Sequence, residues 1–336
     1  MIPKKQVAMK AIADSLGMSV STVSRALRGT PGVAWETQQK VRAEAAALGY
    51  QMEPPDDRPA TRVGIVLPWP DSWYYSSVIA GAEEVLRTRG IEVVLHCAPT
   101  SDDRNRFFTE SRAYRSVDAL IAVSFPLDTP AIQAVSRLPI PLVTVSVRFA
   151  GVPSVTIDDH LAARQAVNQL IRSGHRRIGL IRTTDPDHRS WPADDDRTTG
   201  YRDALASVGI DPAPELTATA PWGIAGGADA MAQLLSLEQP PTAAFCFSDE
   251  VAIGALRTLR RAGVAVPEMM SVIAIDDHPM AELTGLTTIA QPARQMGVVA
   301  AEQIVTLLHG GTVDDIVLPT HLTVRHTIAA PPQHSP

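Results

Sequence analysis

From Val63 onward, short apolar runs of strand length alternate with amphipathic stretches of helix length, and this rhythm restricts the chain to an α/β architecture. Residues 63–67 (VGIVL) lead into a helical pattern that lasts to Arg89. The runs 91–96, 118–123, 141–146 and 154–157 follow, the last with a helical pattern to Arg172. The rhythm resumes at 177–182, 243–247 and 271–275, each run followed by another helical stretch. Near-continuous apolar runs are what strands buried on both faces require, and connecting helices let such strands run parallel. The length of this region suits two α/β lobes. In open sheets of this kind ligands bind beyond the carboxyl ends of the strands, here the cleft between lobes.

The first fifty residues follow a different rule. Two apolar-periodic segments meet at Gly17, Met18 and Ser19, where a Gly releases the first helix in a left-handed cap and a Ser caps the second. Val23 and Leu27 are four residues apart and face Ile12 and Leu16 of the first segment. A third helix, about 34–48, presents Val41, Ala45 and Leu48 at helical spacing and closes a miniature core. This is the signature of a helix-turn-helix. The residues that open the second helix, and those one turn on, reach base edges when it lies in a major groove. Val20, Ser21 and Arg25 are therefore candidate base readers: a thymine-methyl contact, a hydroxyl, and a fork for guanine O6 and N7. Ser19, Thr22, Ser24 and Arg28 suit phosphate oxygens. Taken alone, the second segment also fits a solvated surface helix.

Charge separates the two regions. Residues 1–50 hold Lys4, Lys5, Lys10, Arg25, Arg28, Lys40 and Arg42 against Asp14, Glu36 and Glu44, a net of +4. The whole chain stands at −6, so the remainder carries −10. Contact with a polyanion is thus expected at the head only.

The order of 12–13 (IA), 17–19 (GMS), 22–25 (TVSR), Val33, Thr37, Val41 and 48–50 (LGY) resembles the head of the LacI/GalR family of bacterial repressors. Residues 174–178 (GHRRI), 200–205 (GYRDAL), 241–243 (PTA), 249–255, 271–277 (SVIAIDD) and 291–292 (QP) resemble that family's regulatory domain. The resemblance implies an all-α helix-turn-helix head at 1–50, a linker at 51–62, a periplasmic-binding-protein-like (type I) region of two α/β lobes at 63–328 and a flexible tail at 329–336. It also implies site residues. Tyr74 and Tyr75, in the aromatic cluster after the first strand, belong at the cleft mouth, where aromatic faces stack on rings. Arg197 matches the family's guanidinium clamp, with Thr199 two residues on as a further hydroxyl. Trp222 matches a ligand platform, Asp276 the acidic acceptor at a strand end, and Ser248 a position that is often Asn. Asp249 is expected to cap the helix beside it.

The linker departs from the family pattern. Relatives form a hinge helix there and push a Leu into the minor groove, whereas Pro54, Pro55 and Pro59 oppose a helix and Asp56 and Asp57 repel phosphates. A degenerate hinge acting as an extended tether is expected.

Cys97 and Cys246 both sit in apolar runs and are expected to be buried, inert thiols. Asp194, Asp195 and Asp196 are expected to form a solvated loop rather than a metal site. No nucleophile elbow, phosphate-cradling Gly loop or metal-pair spacing is present, so neither a catalytic residue, a metal nor a cofactor is assigned. An export signal and a membrane-length apolar run are not found either, which favours a cytoplasmic regulator over an exported sugar-binding protein. The tail has no leucine heptads for a tetramer. The expected protein is a homodimeric, sequence-specific regulator of palindromic double-stranded DNA, a repressor under control of a carbohydrate effector. A nucleobase or nucleoside effector, and an activating role, remain alternatives, with a sugar-binding protein or sugar-acting enzyme more remote.

Overall fold

The computed structural model describes residues 4–27, 35–48, 50, 61–110, 116–127, 129–135 and 137–332. Arg28, the linker residues 51–60 and the last four residues of the expected tail lie outside the described residues. The chain divides into two compact units, 1–60 and 61–336.

In the first unit α1 (Lys4–Leu16), α2 (Val20–Leu27) and α3 (Trp35–Ala47) pack around Ile12, Ala13, Val23, Ala26, Leu27, Val41 and Ala45. Gly17 has φ +63°, and Met18 N–H donates to Ala13 O at 2.9 Å, so the first helix ends in the left-handed cap expected of Gly. Ser19 Oγ accepts from Thr22 N–H at 3.1 Å and caps the second helix. Leu48 is 50 % exposed, a correction to the expected core. The helix ends at Ala47, which releases Leu48, and Tyr50 packs against the core instead.

The second unit alternates strands and helices: β1 (Arg62–Leu67), α4 (Trp73–Thr88), β2 (Glu92–Cys97), α5 (Ser101–Thr109), β3 (Ala119–Val123), α6 (Thr129–Val135), β4 (Leu142–Val145) and β5 (Ser154–Ile157) build a first lobe. A second follows with α7 (Asp159–Arg172), β6 (Ile178–Thr184), α8 (Pro192–Ala206), β7 (Thr217–Pro221), α9 (Ile224–Leu235), β8 (Ala243–Cys246), α10 (Asp249–Arg261), β9 (Ser271–Asp276), α11 (Pro279–Thr284) and β10 (Thr287–Ala290). Then α12 (Ala293–Leu308) and β11 (Ile316–Leu318) return to the first lobe, and β12 (His321–Thr323) to the second. Each lobe holds a six-stranded sheet, ordered β11-β5-β4-β3-β1-β2 and β12-β10-β9-β8-β6-β7. Pairing is parallel throughout except for β12 against β10. The chain therefore passes between lobes after β5, after β10 and after β11. Three short crossings form a natural hinge.

Helices α4 and α12 meet at glycines. A Cβ on Gly81 would lie 2.0 Å from Arg294 O, and one on Gly297 2.0 Å from Val78 O. Only glycine permits this backbone approach beside the crossing at Gln291 and Pro292.

Two expectations change. Cys246 is buried, but Cys97 is exposed because β2 is the sheet's edge strand. Ala329, assigned from sequence to a flexible tail, is tied down: its N–H donates to Ser271 Oγ at 3.1 Å and its carbonyl lies 2.9 Å from His175 Nε2.

Candidate functional site

The carboxyl ends of the two sheets face each other across a cavity lined by Tyr74, Tyr75, Trp191, Arg197, Trp222 and Asp276, with Ser124, Ser146, Ala193, Phe247 and Gln291 completing it. Aromatic rings meet edge to face along one wall, Trp191 with Trp222 at 6.0 Å and Trp222 with Phe247 at 5.5 Å, and Trp69, outside the lining, meets Trp191 at 5.6 Å. The lobes are drawn together, and the space left is only about 30 Å³. That holds roughly one water, so a larger ligand requires the lobes or these rings to move.

Arg197 sits on α8 and is buried. Its Nε and Nη2 both lie on Asp159 Oδ1, at 2.8 and 2.7 Å, and its Nη1 donates to Phe247 O. The guanidinium carbon stands 4.4 Å from the Phe247 ring centre, a cation–π contact. Burial raises the Asp159 carboxyl above its ordinary range despite Arg197's opposing charge. Asp276 ends β9 with φ +151°. Its Oδ1 accepts from Gln291 Nε2 and its Oδ2 from Asp249 N–H at 3.3 Å. Burial, reinforced by Asp249, pushes the Asp276 carboxyl well above the usual carboxylate range. Tyr74 hydroxyl meets Ser146 Oγ, and Tyr75 hydroxyl donates to Ser124 O at 3.0 Å. The Trp191 indole N–H has no partner among the described residues.

The structure thus brings Tyr74, Tyr75, Arg197, Trp222 and Asp276 together, while Thr199 and Ser248 stand apart. Thr199 is exposed and donates to Asp195 O at 2.9 Å, because two residues beyond Arg197 a helix has turned to its other side. Ser248 is the residue that caps α10, accepting from Val251 N–H at 3.4 Å. Asp249, expected as the cap, is instead buried, accepting from His278 N–H at 2.9 Å and Thr288 Oγ1 at 2.7 Å. Tyr74 and Tyr75 lie on the first turn of α4. Asp194, Asp195 and Asp196 are helical, and Asp194 is buried against Arg182, so the solvated loop is corrected too.

Sequence reasoning missed Ser124, Ser146, Phe247 and Gln291, although each directly follows a strand and the carboxyl-end rule would have found it. Trp191 and Ala193 had no such signal. Beyond the cavity, the lobes are joined by Arg104 with Asp185, by Ser101 N–H on Asp187 Oδ2 at 2.6 Å and by Ser72 Oγ on Glu250 Oε2 at 2.8 Å.

On the head, Val20, Ser21 and Arg25 are all exposed on α2, opposite its buried Val23 and Leu27. Ser19 is exposed, with Thr22 and Ser24 half-buried. Ser19 Oγ lies 2.9 Å from Ser21 Oγ and 2.8 Å from Thr22 Oγ1, so these hydroxyls form one cluster. Among the described residues no group of three or more His, Cys, Asp or Glu is arranged to hold a metal, and no helix is long and apolar enough to cross a membrane.

A three-helix head of helix-turn-helix form and a two-lobed α/β unit with an interlobe cavity, in one chain, define a DNA-binding regulator that carries a small-molecule receptor. Residues 8–53 match the bacterial regulatory proteins of the lacI family, and residues 167–328 match the periplasmic binding protein-like domain. The chain is 33 % identical over 300 residues to the HTH-type transcriptional repressor CytR of Escherichia coli K12, covering 86 % of each protein. It is 29 % identical over 342 residues to the regulator CelR of Thermobifida fusca, covering 96 % of this chain and 99 % of that one. The structure of a CelR–cellobiose complex superposes with a TM-score of 0.70 at 29 % identity, over 95 % of this chain and 99 % of that one. CcpA of Lactococcus lactis superposes at 0.71 with 26 % identity, over 80 % and 99 %. The chain belongs to the LacI family of transcriptional regulators and is not an enzyme.

Proposed function

We propose that the protein is a repressor whose affinity for a palindromic operator is set by a carbohydrate effector held between the lobes. The observation that carries this reading is the convergence of Tyr74, Tyr75, Arg197, Trp222 and Asp276 on one cavity at the interlobe seam. Aromatic walls with a few polar groups suit a sugar ring. A relative described as a repressor and a similar protein in complex with cellobiose support the sign and the class.

Val20, Ser21 and Arg25 read bases, while Ser19, Thr22, Ser24 and Arg28 hold phosphates. Two heads are needed for a palindrome, so the protein acts as a homodimer. Support comes from exposed apolar side chains on one lobe, among them Leu283 at 78 %, Met280 and Ile224. The linker at 51–62 works as a tether without a minor-groove wedge. Ligand biases lobe opening about the three crossings and so the separation of the heads.

A thermal-shift screen with sugars and nucleosides, repeated with operator DNA, tests the reading. A hit whose operator affinity is also changed supports it; hits that leave DNA binding untouched contradict it.

A further inference from the structure

The charges that already meet in the cavity decide which effectors it accepts, an argument that rests on this cavity being the effector site. We infer that it takes an uncharged ligand, a free sugar, polyol or nucleoside with an acceptor toward Trp191, and rejects the phosphorylated or carboxylated form of the same compound.

Arg197 is the one cation among the lining side chains, and both Nε and Nη2 are committed to Asp159. Beside it stand three buried carboxyl groups: Asp159 in contact with it, Asp276 on the wall, and Asp249 behind Asp276. No positive surplus remains for an incoming anion. A helix N-terminus is the other common anion site; α8 opens at the cavity with Asp194 and Asp195 already in its first turn, and α10 begins just past Phe247. That end is already occupied from within. Asp249 N–H donates to Asp276 Oδ2, and Val251 N–H donates to Ser248 Oγ. A second anion would have to be desolvated beside the buried Asp276 and Asp249 carboxyl groups, in a dry site that already disfavours negative charge and offers no uncommitted cation.

The remaining polarity fits a neutral ligand. Trp191 is 1 % exposed and its indole N–H is unpartnered among the described residues. A buried donor left in that state is unfavourable, and a ligand hydroxyl or carbonyl would relieve it. One further N–H on each of Nη1 and Nη2 of Arg197 is left for hydroxyls. Trp191, Trp222 and Phe247 supply apolar surface for a ring.

The test uses the full chain and matched probes: glucose with glucose 6-phosphate, ribose with ribose 5-phosphate, cellobiose with cellobionate, and uridine with its 5′-monophosphate. Binding is read by thermal shift and calorimetry. A neutral member should bind, with its charged counterpart about 30-fold weaker or more. Trp191→Phe, which keeps the ring and removes the N–H, should weaken the neutral ligand by about 5- to 10-fold, while the free protein melts close to the parent. A charged member that binds as tightly as its neutral partner overturns the inference and leaves the effector reading intact. Unchanged affinity in Trp191→Phe overturns the role given to its N–H. No response from any pair removes the effector reading itself, and this inference with it.

Discussion

Arg104 on α5 and Asp185 after β6 form an ion pair between the two lobes in which neither side chain is exposed to solvent. Asp185 Oδ1 also accepts from Asp187 and Arg189 N–H at 2.9 and 2.8 Å, and Arg104 Nη1 donates to Pro99 O at 2.9 Å. The pair is complete only while the lobes are together. Its backbone partners fix each side chain within its own lobe, so it acts as a clasp.

Removing one member of a buried pair strands the other charge, at about 3–5 kcal/mol. Opening the lobes lets water reach that charge, so the cost should appear as opening before it appears as unfolding. Asp185→Asn is expected to increase the radius of gyration in small-angle scattering. Unchanged scattering with a lower melting temperature would show that the pair supports the fold rather than closure.

Arg197 and Asp159 obey the same physics inside one lobe. Arg197→Met leaves Asp159 buried without its cation and should cost about 3–5 kcal/mol, whereas adding Asp159→Leu should recover much of that loss. Urea unfolding of the two variants gives the comparison. Equal losses would mean that the pair is not coupled as the geometry requires.

Burial pushes the Asp249 carboxyl up to about 6, with Asp277's charge adding to it, above the value of about 3.9 for an unfolded aspartate. A raised folded pKa stabilises the fold below the unfolded value, and that contribution is lost as pH rises through the folded one. The parent should therefore lose stability relative to Asp249→Asn as pH is raised from about 4 to about 7. Parallel dependence of stability on pH in parent and variant across that window would show that Asp249 does not titrate there.

At the head, Arg25→Ala should relax preference at one base pair, costing about 1–3 kcal/mol against the best site. Arg28→Ala should weaken all DNA alike and lower the salt slope. Competition binding with single-base operator variants separates the two; the reverse pattern would exchange reader and positioner. Ser19→Ala also removes a helix cap, so its effect on DNA must be read beside about 1 kcal/mol of lost stability.

The lobes were legible because β1, β3, β8 and β9 are buried on both faces and read as unbroken apolar runs. β7, β10, β11 and β12 went unread: β7 is a Thr/Ala-rich strand with alternating exposure, the other three are only three or four residues long, and all but β10 are edges of their sheet. The edge position of β2 likewise exposed Cys97, which its apolar run had hidden. In the site, Asp276 was found from its strand end, and the same rule stopped short of Ser124, Ser146, Phe247 and Gln291. Thr199 failed because proximity in sequence to Arg197 is not proximity on a helix. Trp191 precedes α8, away from any strand end, and only the fold puts it in the cavity.

In the proposed mechanism one equilibrium links the cavity to the heads. Calorimetric titration of an effector into the full chain, with and without saturating operator, measures the link directly. Linkage requires operator to change effector affinity by the factor through which effector changes operator affinity. For a repressor released by its ligand, operator should weaken the effector by that same factor. Identical effector affinity in the two titrations would mean that the cavity and the heads are not coupled.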